Sequence, residues 1–353
     1  MTASCRHAKR NMKFCMLGNS GHGLTVLREM DRRPDLRLSG FCPGYDGEDI
    51  SGFQQEVLVR RNLPVTLYSS YEAMLEAENP DLIVIDGMFC DHAAMAAQAL
   101  QKNIHVFVDK PLATSEADFR MLQAAQMRSK ARLFAMMTMR YEDSYYTARS
   151  LVKSGAIGKI RMLNGQKSYR LGKRPRFYQD RALFGGLTLW VSIHMVDLIQ
   201  WITGKQGVSV FSMQDAHQNR SNGDLEMLSL CSFELEDHIL ASVHSDYYRP
   251  TAAPSHGDDR LRIVGTDGIL EILDGRLTLI DAQGLREVPL QPAPDLFADC
   301  LRRIEERDFS DHMDGMYSTY LCLKARESAD SGHAADLSGF SPLQDFTNRQ
   351  NII

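Results

Sequence analysis

The stretch "GGLTLWVSIHMVD", residues 185–197, carries His194 and Asp197 in a segment that is otherwise almost wholly apolar. Burying titratable groups costs free energy unless they are paired or used. On a regular helix, residues three or four apart share a face. Trp190, Val191, His194, Asp197, Leu198 and Trp201 are therefore expected to form one stripe. An imidazole titrates near neutral pH and suits proton abstraction from a hydroxyl group. Asp197 is expected to accept a hydrogen bond from one ring nitrogen, leaving the other to face a substrate. The alternative, read from this helix alone, is a buried His–Asp pair that satisfies only itself. A third group stands in "HVFVDKPLA", where Lys110 and Pro111 end an apolar run. A lysine at the carboxyl end of a parallel strand points into the crevice where such sheets bind ligands. There it would hold a reacting oxygen and stabilise alkoxide charge.

"MLGNSGHG" supplies a fourth constellation. Gly18 and Gly23 match the first and third glycines of the dinucleotide fingerprint G-x-G-x-x-G, and Ser20 holds the second position. Glycine there lets backbone approach a pyrophosphate. Gly21 restores some of that room, and His22 lies inside the loop. A helix beginning just beyond it would attract phosphates. The acidic residue expected at the end of the second strand, to hold ribose hydroxyls, is replaced by Cys42. Asp46, Glu48 and Asp49 follow, with no arginine nearby to meet a 2′-phosphate. This leans toward NAD, with NADP possible; the alternative for those acids is a solvated loop.

The elements that must position these groups fall in two blocks. Residues 12–138 alternate strand and helix signals, the pattern of a parallel sheet covered by helices. "KFCMLG", "LRLSGFCPG", "LPVTLY", "DLIVIDG" and "IHVFVDKP" read as strands. "GLTVLREMDRR", "DHAAMAAQALQK" with Asp91 as N-cap, and the segment opening with Ser115 and Asp118 at capping-box spacing read as helices. From 139 to 353 the grammar changes. A helix over "YEDSYYTARSLVKSGAIGK", ending at Gly158, precedes a series of strands. Asp267-Gly268 and Asp274-Gly275 mark hairpins among them. Helices return at "PDLFADCLRRIEER" and "MYSTYLCLKARESA". This second block is expected to be an α+β domain with an open, mainly antiparallel sheet.

The bulk numbers narrow the function classes. A chain of 353 residues suggests two domains. A net charge of −5 lacks the basic surplus of a nucleic-acid binder. No uninterrupted apolar run reaches the ~18 residues of a membrane span. The polar start reads as a disordered lead-in without a secretory core. Seven scattered cysteines, never as C-x-x-C, argue against a disulfide framework or a zinc site and favour the cytoplasm. No metal is expected.

Taken together, the glycine loop, the Lys-Pro turn and the later "GG…H-x-x-D" resemble the Gfo/Idh/MocA oxidoreductase family. The central segment "ENPDLIVIDGMFCDHAAMAAQALQKNIHVFVDKPLATS" follows the family pattern with D-K-P in place of E-K-P. "SGAIGKIR", "GGLTLWVSIHMVDLIQWITG" and "IVGTDGILEI" match its second domain. The resemblance implies a Rossmann domain and a nicotinamide cofactor. It also implies a sugar, polyol or related hydroxy substrate, and a homo-oligomer, dimer or tetramer, built through the C-terminal sheet. On that basis the expected catalytic residues are Lys110, His194 and Asp197. The expected cofactor contacts are Gly18, Ser20, Gly21, His22, Gly23, Cys42, Lys110 and Pro111. The expected substrate contacts are Lys110, Arg140, Tyr169, Trp190, His194 and Tyr247. "SYRLGKRPRFYQDR", with Arg170, Lys173, Arg174, Arg176 and Arg181, would greet an acidic substrate or else form a solvated loop. Three departures stand out. "GMFCDH" replaces T-P-N-x-x-H, Thr138 replaces an asparagine in "TMRY", and Trp190 sits where many sugar dehydrogenases of the family carry an aspartate. Two other readings follow from these departures: a glycoside-cleaving enzyme that uses NAD transiently, and a regulatory protein that binds the cofactor without turnover.

Overall fold

The computed structural model describes residues 11–308 and 314–340. Its first sheet contains β1 (Met12–Leu17), β2 (Leu36–Cys42), β3 (Thr66–Leu67), β4 (Leu82–Ile85), β5 (His105–Val108) and β6 (Leu133–Ala135). They pair in the order β3-β2-β1-β4-β5-β6, all parallel. β1, β4 and β5 are buried on both faces, which is why they read as unbroken apolar runs. The strand order reverses between β1 and β4, so the crevice at their carboxyl ends is the ligand position for this topology.

Helices α1 (Val26–Met30), α2 (Ser51–Phe53), α3 (Tyr71–Glu78), α4 (His92–Gln101) and α5 (Glu116–Arg128) accompany this sheet. The helix expected after the glycine loop is short. A 3-10 turn over Gly23–Thr25 precedes α1, which ends at Met30. α2 runs on as a π-helical turn over Gln54–Arg60. The apolar spacing there was too sparse to show it, but Phe53 stacks on Phe41 with ring centroids 3.7 Å apart. Asp91 stands at the N-cap position of α4 as expected, but its side chain takes no capping bond, because Phe89–Asp91 already form a turn leading into the helix. Ser115 does cap α5, accepting from the Asp118 amide and donating to its carboxylate.

The second sheet has β7 (Ile160–Tyr169), β8 (Gly207–Asp215), β9 (Leu228–Leu235), β10 (Ile239–Asp246), β11 (Gly257–Gly265), β12 (Gly268–Leu273), β13 (Arg276–Asp281), β14 (Gly284–Glu287) and β15 (Ala335–Asp336). Its order is β14-β13-β12-β11-β7-β10-β9-β8-β15, antiparallel except between β7 and β10. Asp274 and Gly275, at φ 49° and 74°, make the two-residue turn between β12 and β13. Helices α6 (Asp143–Lys153), α7 (Arg181–Phe184), α8 (Ile193–Thr203), α9 (Leu296–Glu306) and α10 (Asp314–Ser331) complete the chain. α6 stops five residues before Gly158, and Gly155 at φ 80° makes its terminal turn. α8 lies on one face of the sheet, with Met195 against Gly165: a Cβ there would stand 3.1 Å from Met195 Cβ. α9 returns to the first sheet, where Phe297 packs on Phe14 and Phe107. The stretch Arg181–Thr203 is long and apolar enough to cross a membrane by length and composition. However, 89% of its most apolar window is buried inside the molecule.

Candidate active site

Lys110 follows β5 and reaches toward the segment before α8. It is 1% exposed, and its Nζ donates to the Trp190 carbonyl at 2.9 Å while standing 2.9 Å from the centroid of the Trp190 ring. Burial drives its pKa well below the ordinary lysine value, against the opposing pull of Asp109; Lys167 and Arg174 push the same way as burial. Trp190 is itself buried and stacks on Phe89, with ring centroids 4.2 Å apart. Phe89 stands in the segment that replaces the family's T-P-N. The two departures are therefore one structural fact: two aromatic rings lie face to face over the lysine.

His194 is 3% exposed, and its Nδ1 has no hydrogen-bond partner. Burial first, then the positive charge of Lys110, hold its pKa well below the ordinary histidine value, so the ring is neutral. The expected pairing with Asp197 does not form. Asp197 instead takes a bidentate pair from Arg140 Nε and Nη2, both at 2.6 Å, and a third bond from Ser318 Oγ at 2.6 Å. Residues Thr188–Ser192 form a π-helical turn, not an α-helical one. The wider turn changes the phase between Trp190 and α8, so a stripe counted at α-helical spacing misplaces its members. Arg140, expected to contact substrate, is consumed by the same clamp; a fork-to-carboxylate pair is the geometry guanidinium favours.

The glycine loop lies at the end of β1, beside β4 and β5. Gly18 has φ 76°, and a Cβ there would stand 2.5 Å from the Asp86 carbonyl, so only glycine fits. The loop amides are engaged by carboxylates of the protein. Asn19 N donates to Glu48 Oε1 at 3.0 Å, His22 N to Asp109 Oδ2 at 3.2 Å, and Gly23 N to Asp86 Oδ2 at 2.7 Å. Ser20 Oγ donates to the same Glu48 oxygen at 2.5 Å, and Gly44 N donates to the other at 2.7 Å. The acids after Cys42 thus include one residue, Glu48, that reaches the loop. Asp49 caps its own turn at Ser51. Cys42 is buried at the end of β2, its thiol on the Pro43 carbonyl and pushed up to about 11 by burial.

His22 forms the His–Asp contact that had been expected of His194. Its Nδ1 lies 3.0 and 3.1 Å from the two Asp109 oxygens. Its ring is 6.1 Å from Trp190 and 6.2 Å from His194. Burial works against the charged form of Asp109, but His22 and Lys110 outweigh it and hold that carboxyl below the usual range. Asp86 goes the other way: burial, then the Asp109 charge, raise it well above the usual range. Asp86 was not singled out in the sequence, although an acid closing the apolar run "DLIVID" was a usable signal. Pro111 meets the site through its carbonyl, which faces His92 Nδ1 at 2.9 Å.

Among the other expected contacts, Tyr247 is fully buried and its hydroxyl has no partner. Arg174 lies 5.2 Å from the Tyr247 ring and 5.6 Å from the Tyr178 ring, and Tyr178 lies edge-on to Trp190 at 6.1 Å. Tyr169 is set farther along the sheet, between Lys167 at 4.8 Å and His256 at 4.9 Å. Arg181 is taken by Glu226 and Asp330, and Lys173 and Arg176 are exposed.

A parallel sheet with a glycine loop at its switch point, joined to a large mixed sheet whose helix α8 faces a buried lysine, defines a two-domain oxidoreductase architecture. Residues 30–136 match the oxidoreductase family model with an NAD-binding Rossmann fold, and residues 145–271 match the GFO/IDH/MocA C-terminal domain. The chain belongs to the Gfo/Idh/MocA oxidoreductase family. A solved structure from Thermotoga maritima is 39% identical, with a TM-score of 0.89, covering 92% of this chain and all of that one. A levoglucosan dehydrogenase solved with NADH and levoglucosan shares the fold at 16% identity and a TM-score of 0.80, covering 94% of this chain and all of that one. Inositol 2-dehydrogenase of Salmonella typhimurium is 27% identical over 154 residues; the match spans 43% of this chain and 44% of that relative.

Proposed function

We propose that the protein is an NAD-dependent dehydrogenase or reductase acting on a hydroxyl carbon of a sugar, polyol or related compound. The observation that carries this reading is the buried, neutral His194, with Nδ1 unpaired, within electrostatic reach of a buried Lys110. Two titratable groups held away from their ordinary values at the carboxyl end of a parallel sheet are suited to acid–base work. Lys110 Nζ would hold the substrate oxygen and stabilise alkoxide charge as it develops. His194 Nδ1 would accept the hydroxyl proton. A bound nicotinamide supplies the hydride acceptor. The backbone of loop 18–23 fits a dinucleotide in position, and its amides would hold the pyrophosphate in place of the carboxylates they now meet. Because Trp190 and Phe89 cover Lys110, substrate entry requires Trp190 to move.

Homologues of named dehydrogenase activity support this reading. The far face of the second sheet exposes Phe211, Met213, Leu228, Leu230 and Leu240, which supports a homo-oligomer formed through that face. The protein would work in the cytoplasm on a small molecule, without nucleic acid or membrane. The test is a panel of sugars and polyols with NAD and NADP, followed by reduced-cofactor absorbance. Turnover with NAD should fall about 10²-fold or more in His194→Ala, as for a general base. The occupied loop amides favour a second reading, a cofactor-binding regulator, which cofactor binding without turnover on any substrate would support. Sugar release without net cofactor reduction would instead mark glycoside cleavage.

A further inference from the structure

Three carboxylates converge on the loop that should receive a dianionic pyrophosphate, and each has a separate origin. Glu48 comes from the turn after β2, Asp86 from the end of β4, and Asp109 from the end of β5. Asp86 and Asp109 are both fully buried. They also fill the space that the loop's glycines leave open. A Cβ on Gly21 would lie 2.0 Å from Asp109 Oδ2 and 2.7 Å from Asp86 Oδ1, and a Cβ on Gly23 would lie 2.6 Å from Asp86 Oδ2. In the dinucleotide fingerprint the backbone of this loop is the part that approaches the pyrophosphate, and here the protein's own acids sit against that backbone. Asp86 Oδ1 is left buried without a hydrogen-bond partner. A buried acceptor in that state carries a desolvation cost, which a ligand or a proton can relieve.

We infer that Asp86, with Asp109 and Glu48 beside it, competes with the cofactor's pyrophosphate for the amides of the glycine loop, so that Asp86 sets how tightly the protein binds a dinucleotide. The inference rests on the NAD-dependent reading above. The competition is both steric and electrostatic. Gly23 N cannot donate to a phosphate while Asp86 Oδ2 holds it at 2.7 Å. A pyrophosphate placed against an ionised Asp86 would meet like charge in a site with little water to screen it. Protonation of Asp86 removes the second obstacle and is already favoured by burial and by Asp109. Dinucleotide binding should therefore take up a proton. The other titratable or charged groups around Asp86 are His22 on the loop, Glu48 after β2, Asp109 and Lys110 after β5, His92 on α4 and Tyr178. Because His22 and Asp109 lie beside it, the pH response must be compared with and without Asp86.

The experiment is calorimetric titration of the full-length protein, wild type and Asp86→Asn, with NAD. Asparagine keeps the shape and an acceptor for Gly23 N while removing the charge. Asp86→Asn should bind NAD about tenfold tighter or more near neutral pH, the equivalent of about one pKa unit of charge interaction. Wild-type affinity should rise as pH is lowered, and Asp86→Asn should lose most of that slope. Glu48→Gln, at the partly exposed rim, supplies a second variant should Asp86→Asn not fold, and should tighten binding by a smaller factor. Equal affinity in wild type and Asp86→Asn, or weaker affinity in the variant, overturns the competition but leaves the NAD reading standing. If none of the proteins binds NAD, both the competition and the NAD-dependent function fall.

Discussion

Replacing Asp197 by asparagine tests whether this residue serves structure or chemistry. Asp197 and Arg140 are 1% and 8% exposed, and two charge-assisted bonds of 2.6 Å join them. Ser318 Oγ adds a third at 2.6 Å from α10. The clamp thereby ties the turn before α6 to α8 and α10. In Asp197→Asn the guanidinium faces a neutral amide, whose NH2 opposes one of the donors. Removing one partner of a buried pair costs about 3–5 kcal/mol, a large part of the ~5–15 kcal/mol by which domains are usually stable. Replacing both partners with apolar residues of similar size, as in Arg140→Met with Asp197→Leu, should recover most of the loss, because neither charge is then stranded. Urea unfolding followed by tryptophan fluorescence reads this segment directly. The chain has two tryptophans, Trp190 and Trp201, and the Arg140 guanidinium lies 5.6 Å from the Trp201 ring. A loss below ~1 kcal/mol in Asp197→Asn, the size expected of an exposed pair, would refute the clamp and return Asp197 to the list of catalytic groups.

Three further outcomes follow from the same geometry. His194 is held neutral by burial, so its folded pKa lies below the unfolded value of ~6.5. Its contribution is present above that value and lost as pH falls through the folded one, so the melting temperature should drop on acidification below about pH 6.5. His194→Leu should flatten that part of the profile; an unchanged slope would mean another group is responsible. Asp86 is raised by burial, so its contribution is present below the unfolded carboxylate pKa of ~3.9 and lost as pH rises through the folded value. At neutral pH, Asp86→Asn should therefore be at least as resistant to urea as wild type, and a lower midpoint would count against like-charge strain at the loop. Gly21→Ala should destabilise by about 1–3 kcal/mol, as overpacking does, since its Cβ would lie 2.0 Å from a buried Asp109 oxygen. Wild-type stability in that variant would show that the carboxylate can step aside.

Much of the architecture was legible in the residues because local chemistry and burial agree along these segments. The double-sided burial of β4 and β5 shows as "LIVI" and "HVFV", and the Asp274-Gly275 turn shows as two residues that tolerate positive φ. The family membership rests on such local patterns. The positions of Lys110 and the glycine loop also follow from sequence, since strand ends of a parallel sheet meet at its switch point. Partnerships across the fold do not follow from sequence. Which acid meets which base depends on what packs against α8: Arg140, from the turn before α6, and Ser318, from α10, take Asp197 and leave His194 without it. The π-helical turn at Thr188–Ser192 is equally silent in the sequence, because no periodicity of residue types reports an extra residue in a turn whose side chains are all buried. Likewise Asp86, Asp109 and Glu48 lie far apart along the chain. Only the juxtaposition of β2, β1, β4 and β5 brings their charges onto one loop, and a Coulomb interaction depends on distance in space, not on separation in sequence.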